Sequence, residues 1–153
     1  MATKKTAAKK TATKKAATKK TAAKKPVAKK TTAKKSKAAA PVGPYTPVVR
    51  AGDWVIVSGQ LGLKDGVLEK GVAAQTKQAV VNLKARLAEA GVTINDVKKT
   101  LCFLTDMDTF ATFNDAYVAG FGNSRPARST IGVASLPFGG QVEIEAWAFK
   151  PVR

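Results

Sequence analysis

In the stretch SRPARSTI, Ser124 to Ile131, two arginines flank a proline at the entrance to a β-branched run. An arginine so placed suits an anion, because its planar fork donates two parallel hydrogen bonds to a carboxylate. If the run is a strand, Arg128 and Thr130 share one of its faces, and Pro126 stiffens the entry. A second group with chemical potential is the glutamate pair of VEIEAWAF. Period two puts Glu143, Glu145 and Trp147 on one face and Val142, Ile144, Ala146 and Ala148 on the other, with the carboxylates roughly 7 Å apart along the strand. Spacing alone leaves both groups open. Arg128 is a ligand anchor or, more commonly for such a residue, half of a structural ion pair. The glutamates are acid/base machinery or, again more commonly, part of a solvated strand face.

The composition narrows the chemistry. The chain has 153 residues and no histidine, which removes Ser-His-Asp and Cys-His machinery, His-ligated zinc and imidazole acid/base catalysis. The single cysteine, Cys102, excludes an internal disulfide and a multi-cysteine metal site, and its apolar setting, LCFL, reads as that of a buried hydrophobe rather than a reactive thiol. No apolar run approaches the roughly 18 residues of a membrane span, and the N-terminus lacks the apolar region of a secretory signal. A cytoplasmic protein is the default expectation.

Charge divides the chain in two. Of 27 Lys and Arg residues, 15 lie in residues 1–40, where there is no acid, which leaves the remainder nearly neutral with 12 basic against 10 acidic residues. The lysines are Lys4, Lys5, Lys9, Lys10, Lys14, Lys15, Lys19, Lys20, Lys24, Lys25, Lys29, Lys30, Lys34, Lys35 and Lys37, all but the last in pairs that recur every five residues, mostly with Ala and Thr between. Five residues advance a helix by about 140° beyond a full turn, so the pairs scatter around the axis and form no amphipathic face. Like charges crowd, Pro26 interrupts, and little larger than alanine is available to bury. The expectation is a disordered tail, similar in composition to histone tails, whose lysines bind DNA, RNA or another polyanion through its phosphates whatever the base sequence. A solubilising tail is the plainer alternative. Nucleic-acid binding would bring a cytoplasmic protein to the nucleoid.

The elements that must hold the arginine and the glutamates begin near residue 41. VVR and DWVIVSG read as two short strands joined by a turn at Ala51-Gly52, and Asp65-Gly66 marks another turn. Thr76, Ala79, Val80, Leu83, Leu87 and Ala90 recur at helical steps, and Gly91 stops that helix. VKKTLCFLTD follows as a strand. A second helix carries Phe110, Phe113, Tyr117 and Phe121 and ends at Gly122. ARSTIGVASL and VEIEAWAF close the chain as strands around the loop PFGGQ. The order β-β-α-β-α-β-β predicts an α+β fold with two helices packed on one face of a mixed sheet.

Four segments, GPYTPVVRAGDWVIVSGQ, AAQTKQAVVNLKARLAEAG, VKKTLCFLTDMDTFATFNDAY and RPARSTIGVASLPFGGQVEIEA, resemble the RidA (YjgF) family in the family's order and span residues 41–153. The resemblance implies a chorismate-mutase-like protomer, a homotrimer, and ligand sites in the clefts between subunits. It implies hydrolysis of reactive enamine and imine intermediates, such as 2-aminoacrylate and its imine tautomer, to 2-keto acids and ammonia, with no cofactor and no metal. The family's carboxylate-binding arginine falls on Arg128 and its water-positioning glutamate on Glu143. Tyr45 of GPY, Ser58 of SGQ and Asn114 of FNDAY fall on further substrate-binding positions. Some members carry cysteine where this chain has Thr130, so thiol-dependent properties do not carry over. The chemistry is consistent with the missing histidine, since an iminium carbon is already electrophilic and water needs orientation and a modest base. Two other readings stay open: a non-catalytic trimeric scaffold that binds a metabolite or associates with nucleic acid, and, from activities described for some members, a ribonuclease or translation inhibitor.

Overall fold

The computed structural model describes residue 41 and residues 43–152; the leader, and with it every lysine assigned to polyanion binding, lies outside the described residues. Among the described residues, seven strands and two α-helices run in the order β1 (Val48–Ala51), β2 (Trp54–Leu61), β3 (Leu63–Lys64), β4 (Val67–Leu68), α1 (Val72–Glu89), β5 (Val97–Leu104), α2 (Phe110–Phe121), β6 (Ala127–Gly132) and β7 (Val142–Phe149). Five strands form one mixed sheet, β1-β2-β7-β5-β6. All its pairs are antiparallel except β5 with β6. The α+β expectation of two helices on one face of a mixed sheet holds.

Burial explains why these residues choose these elements. Along β7 the burial alternates strictly, with Val142, Ile144, Ala146 and Ala148 buried against the helices. On α1 the buried positions include Thr76, Ala79, Val80, Leu83 and Leu87, and Ala90 packs against the same core as the helix cap. Phe113, Tyr117 and Phe121 bury the stripe of α2, whereas Phe110 stays partly exposed. Each fully buried Leu or Phe contributes about 1.5–3 kcal/mol by leaving water. Cys102 is fully buried, and that burial pushes its thiol up to about 11, as its apolar setting predicted.

Two details differ from the expected element order. The turn at Asp65-Gly66 is flanked by the short pair β3 and β4, and both turn residues take positive φ, 52° and 82°, the conformation that a tight hairpin demands. The sixth strand ends at Gly132, so VASL lies outside it. The last contact with β5 on this side is the Val133 N–H, which donates to Leu104 O at 2.9 Å just past the strand. Two cations finish α1: Arg50 Nη2 donates to Ala90 O at 2.8 Å and Lys150 Nζ to Gly91 O at 2.9 Å, favourable at the negative end of a helix.

Candidate active site

Arg128 lies opposite Thr100 in the parallel β5–β6 pair, and Thr100 in turn lies opposite Ala146. Thr100 and Ala146 are buried beneath the helices, so Arg128 points to the helix-bearing face. There α2 receives it. Nη2 donates to Asn114 Oδ1 at 2.8 Å, and the guanidinium carbon stands 4.6 Å from the centre of the Tyr117 ring and 5.6 Å from those of Phe110 and Phe113. Positions 110, 113, 114 and 117 form one helical face, which is why a single helix can present three rings and an amide to one cation. The Tyr117 hydroxyl shares a 2.8 Å hydrogen bond with Thr100 Oγ1 and so fixes the ring from below. Burial raises that hydroxyl to about 12 and keeps it neutral.

The ion pair that spacing alone favoured for Arg128 is not formed: among the described residues no carboxylate lies within salt-bridge distance of it. Its Nη1 and Nε edges remain for a ligand. Thr130, two residues along on the same face, has a buried hydroxyl without a hydrogen-bond partner among the described residues. A buried hydroxyl without a partner, two residues along the strand from a cation without a carboxylate partner, is a pair of polar groups that suits a small anion.

Glu143 belongs to the other face. It lies opposite Phe103 on β5 and Leu61 on β2, half-buried in the alternation that buries Val142 and Ile144 beneath the helices. Its carboxyl lies over Gly59, where a Cβ would overlap Oε1 and come within 2.5 Å of Cδ. Gly59 sits in the register shift between Val57 and Gln60, so bulge and glycine together make the space. Burial first, and then the charge of Glu145, raises the Glu143 carboxyl above its ordinary value, and burial raises that of Glu145. This face is open to solvent, as the plainer reading of the strand pattern has it, but much of what it exposes is apolar. Trp54, Ile56 and Ile131 are exposed on it, and Trp147 is half-buried beside the glutamates.

The remaining predicted residues fall into two groups. Asn114 and Thr130 accompany Arg128. Ser58 stands next to Gly59, and its hydroxyl donates to Thr46 O at 2.8 Å, fastening the segment that carries the exposed Tyr45 onto β2 on the Glu143 side. The protomer therefore does not bring Arg128 and Glu143 together. They point to opposite faces, and β5 separates their strands, a span of about 9.5 Å. Sequence reasoning missed the ring platform of Tyr117, Phe113 and Phe110, which reads as an ordinary core stripe, and it missed Gly59. Among the described residues no cluster of acidic or cysteine side chains could hold a metal ion, and no helix is long and apolar enough to cross a membrane.

Fold and site define a class: a small α+β protein that offers an unpaired arginine on one sheet face and half-buried carboxylates on the other. The comparisons with known proteins place the chain within that class. A family model described as Endoribonuclease L-PSP matches residues 35–150. The chain is similar to the mouse 2-iminobutanoate/2-iminopropanoate deaminase, 42% identical over 118 residues that cover 75% of this chain and 87% of the mouse protein. To the protein of the same name from Escherichia coli K12 it is 41% identical over 118 residues, covering 74% and 92% of the two chains. The crystal structure of RidA from the Antarctic bacterium Psychrobacter sp. PAMC 21119 superposes with a TM-score of 0.71 at 43% identity, covering 74% of this chain and 94% of that one. The chain belongs to the Endoribonuclease L-PSP family, the RidA family of the sequence resemblance.

Proposed function

We propose that this protein is an imine deaminase that hydrolyses 2-aminoacrylate-type enamines and imines to 2-keto acids and ammonia. The observation that carries the reading is Arg128, a cation without a carboxylate partner among the described residues, pinned by Asn114 and a ring platform with two donor edges left open. Relatives at about 40% identity named as such deaminases support it. Arg128 takes the substrate carboxylate. Glu143 orients a water, accepts a proton as the water oxygen bonds to the imine carbon, and returns a proton to nitrogen as the C–N bond breaks. A raised carboxyl is suited to carrying that proton in both directions.

The working unit in this reading is a homotrimer. Arg128 of one copy completes a site with Glu143 of the next, which resolves their opposed faces. Support comes from the side of the sheet away from the helices, where Trp54, Ile56 and Ile131 are exposed and Trp147 is half-buried, apolar side chains of the kind an interface between copies covers. The lysine leader serves as a polyanion tether, with 15 lysines and no acid in residues 1–40. RNA cleavage, which the family description names, ranks below hydrolysis of an imine because the chain has no histidine for general acid/base catalysis.

The test couples a pyridoxal-phosphate-dependent dehydratase, which generates 2-aminoacrylate, to measurement of pyruvate release. Acceleration over the uncatalysed rate is expected. None with the wild-type protein would leave a metabolite-binding scaffold as the function.

A further inference from the structure

At the end of the sheet where β5 and β6 begin, the turn before β5 and the α2–β6 connection border an open, shallow groove of about 390 Å3. That volume is at the lower end of the range for small-molecule sites. Asn95, Lys98, Asn123, Ser124 and Arg125 line it, with no acidic residue among its walls, and Arg128 does not contribute to it. The walls are fastened to each other, since Ser124 Oγ donates to Ile94 O at 3.1 Å across them.

Arg125 is pre-set. Its Nη1 donates to the carbonyls of Gly122 and Ser124, which fixes the guanidinium in advance of any ligand and leaves the Nε and Nη2 donors unengaged among the described residues. Lys98 adds an exposed ammonium. The nearby carboxylate, Asp96, is held by Thr93, accepting from its N–H at 2.8 Å and its hydroxyl at 2.9 Å, and it also feels the charges of Lys98 and Lys150. Arg50 and Lys150, fastened to the end of α1, add positive charge at the same end of the sheet.

Two cations carried by separate segments, one a fork and one a point charge, with two exposed amides in the same groove, match an ion with several acceptor oxygens and two negative charges. We propose that this groove binds a phosphate monoester, with Lys98 and Arg125 neutralising the phosphate and the Asn95 and Asn123 amides donating to its oxygens. The site is independent of the imine chemistry and of the leader.

The test is a site-resolved titration of the full-length, isotope-labelled protein by NMR, with inorganic phosphate and with adenosine monophosphate as probes, at constant ionic strength against chloride. Saturable amide shifts are expected at Lys98, Ser124, Arg125 and Ala127, with the ester binding at least as tightly as the free ion. The pair Lys98→Ala and Arg125→Ala should weaken binding by about 10- to 100-fold while the rest of the spectrum stays unchanged. Should the pair perturb the fold, Lys98→Gln alone carries the test, with a loss of about tenfold. Shifts confined to leader amides, shifts that never saturate, binding of phosphate but not of the ester, or an affinity indifferent to these variants would each overturn the proposal.

Discussion

Replacing Arg128 by alanine is the sharpest probe of the proposed reaction. In the structure Nη2 is taken by Asn114, so a substrate carboxylate has the Nη1 and Nε edges, enough for two charge-assisted hydrogen bonds. At about 1.5–2 kcal/mol each these are worth about 3–4 kcal/mol, or roughly 10²- to 10³-fold in kcat/KM. The fold should tolerate the change. What is lost is one bond to a half-exposed amide and a cation–ring contact of about 1 kcal/mol, a fall of a few degrees in Tm. Arg128→Lys keeps the charge but loses the fork and should recover part of the rate, leaving a deficit of about tenfold. Arg125→Ala should lose far less than Arg128→Ala, because its guanidinium is turned onto the carbonyls of Gly122 and Ser124. The assay is pyruvate release from enzymatically generated 2-aminoacrylate, with Tm and sedimentation recorded for each variant. A folded Arg128→Ala protein within a few-fold of wild type, or equal losses for the two arginines, would refute the assignment.

Glu143→Gln should lower kcat by about 10²-fold with little change in KM, checked in the same assay. Glu143 and Glu145 hold their protons more tightly folded than unfolded, so their contribution to stability is full below the ordinary carboxylate value and is lost as pH rises through the raised one. Glu143→Gln should therefore flatten the fall in Tm between pH 4 and 8, and an unchanged slope would count against the burial argument. Gly59→Ala should displace the Glu143 carboxyl and reduce kcat by about 10- to 100-fold with Arg128-dependent binding kept; KM and kcat together check this. Ile131→Glu, which puts a charge on the exposed apolar face, should convert trimers to monomers in sedimentation velocity and abolish turnover. Binding of the full chain to mixed-sequence DNA or RNA should weaken by about 10³- to 10⁵-fold between 50 and 200 mM salt if roughly 6–10 phosphates are neutralised, measured by anisotropy alongside a variant lacking residues 1–40, which should bind far more weakly.

Where burial writes a period into the chain, the sequence was legible. Leu83 and Leu87 on α1, Phe113 and Phe121 on α2, and the alternation of β7 all pack as their spacing predicted. Cys102 was legible for the same reason. The setting of Arg128 was not, because an aromatic residue at a helical step looks the same whether it fills a core or floors a cation. Only the parallel docking of β6 on β5 sets Arg128 over Tyr117. The opposition of Arg128 and Glu143 was hidden for a related reason: period two assigns faces within a strand, whereas the relation between two strands depends on pairing between distant segments. Gly59 was quoted only as part of a motif, and its meaning depends on the carboxyl that lies over it.

The opposed faces of Arg128 and Glu143 have a bearing on inheritance. When the cation and the carboxylate of one site come from different copies of the chain, a defect in either is no longer private to the copy that carries it. One allele without the arginine and another without the glutamate would each be inactive alone. Expressed together in equal amounts and assembled at random, they would restore about one site in four, since each site needs one intact donor of each kind. Two null alleles of this protein would then complement each other, while a single copy lacking one of the two residues, diluted into normal ones, would silence only the site to which it gives that residue.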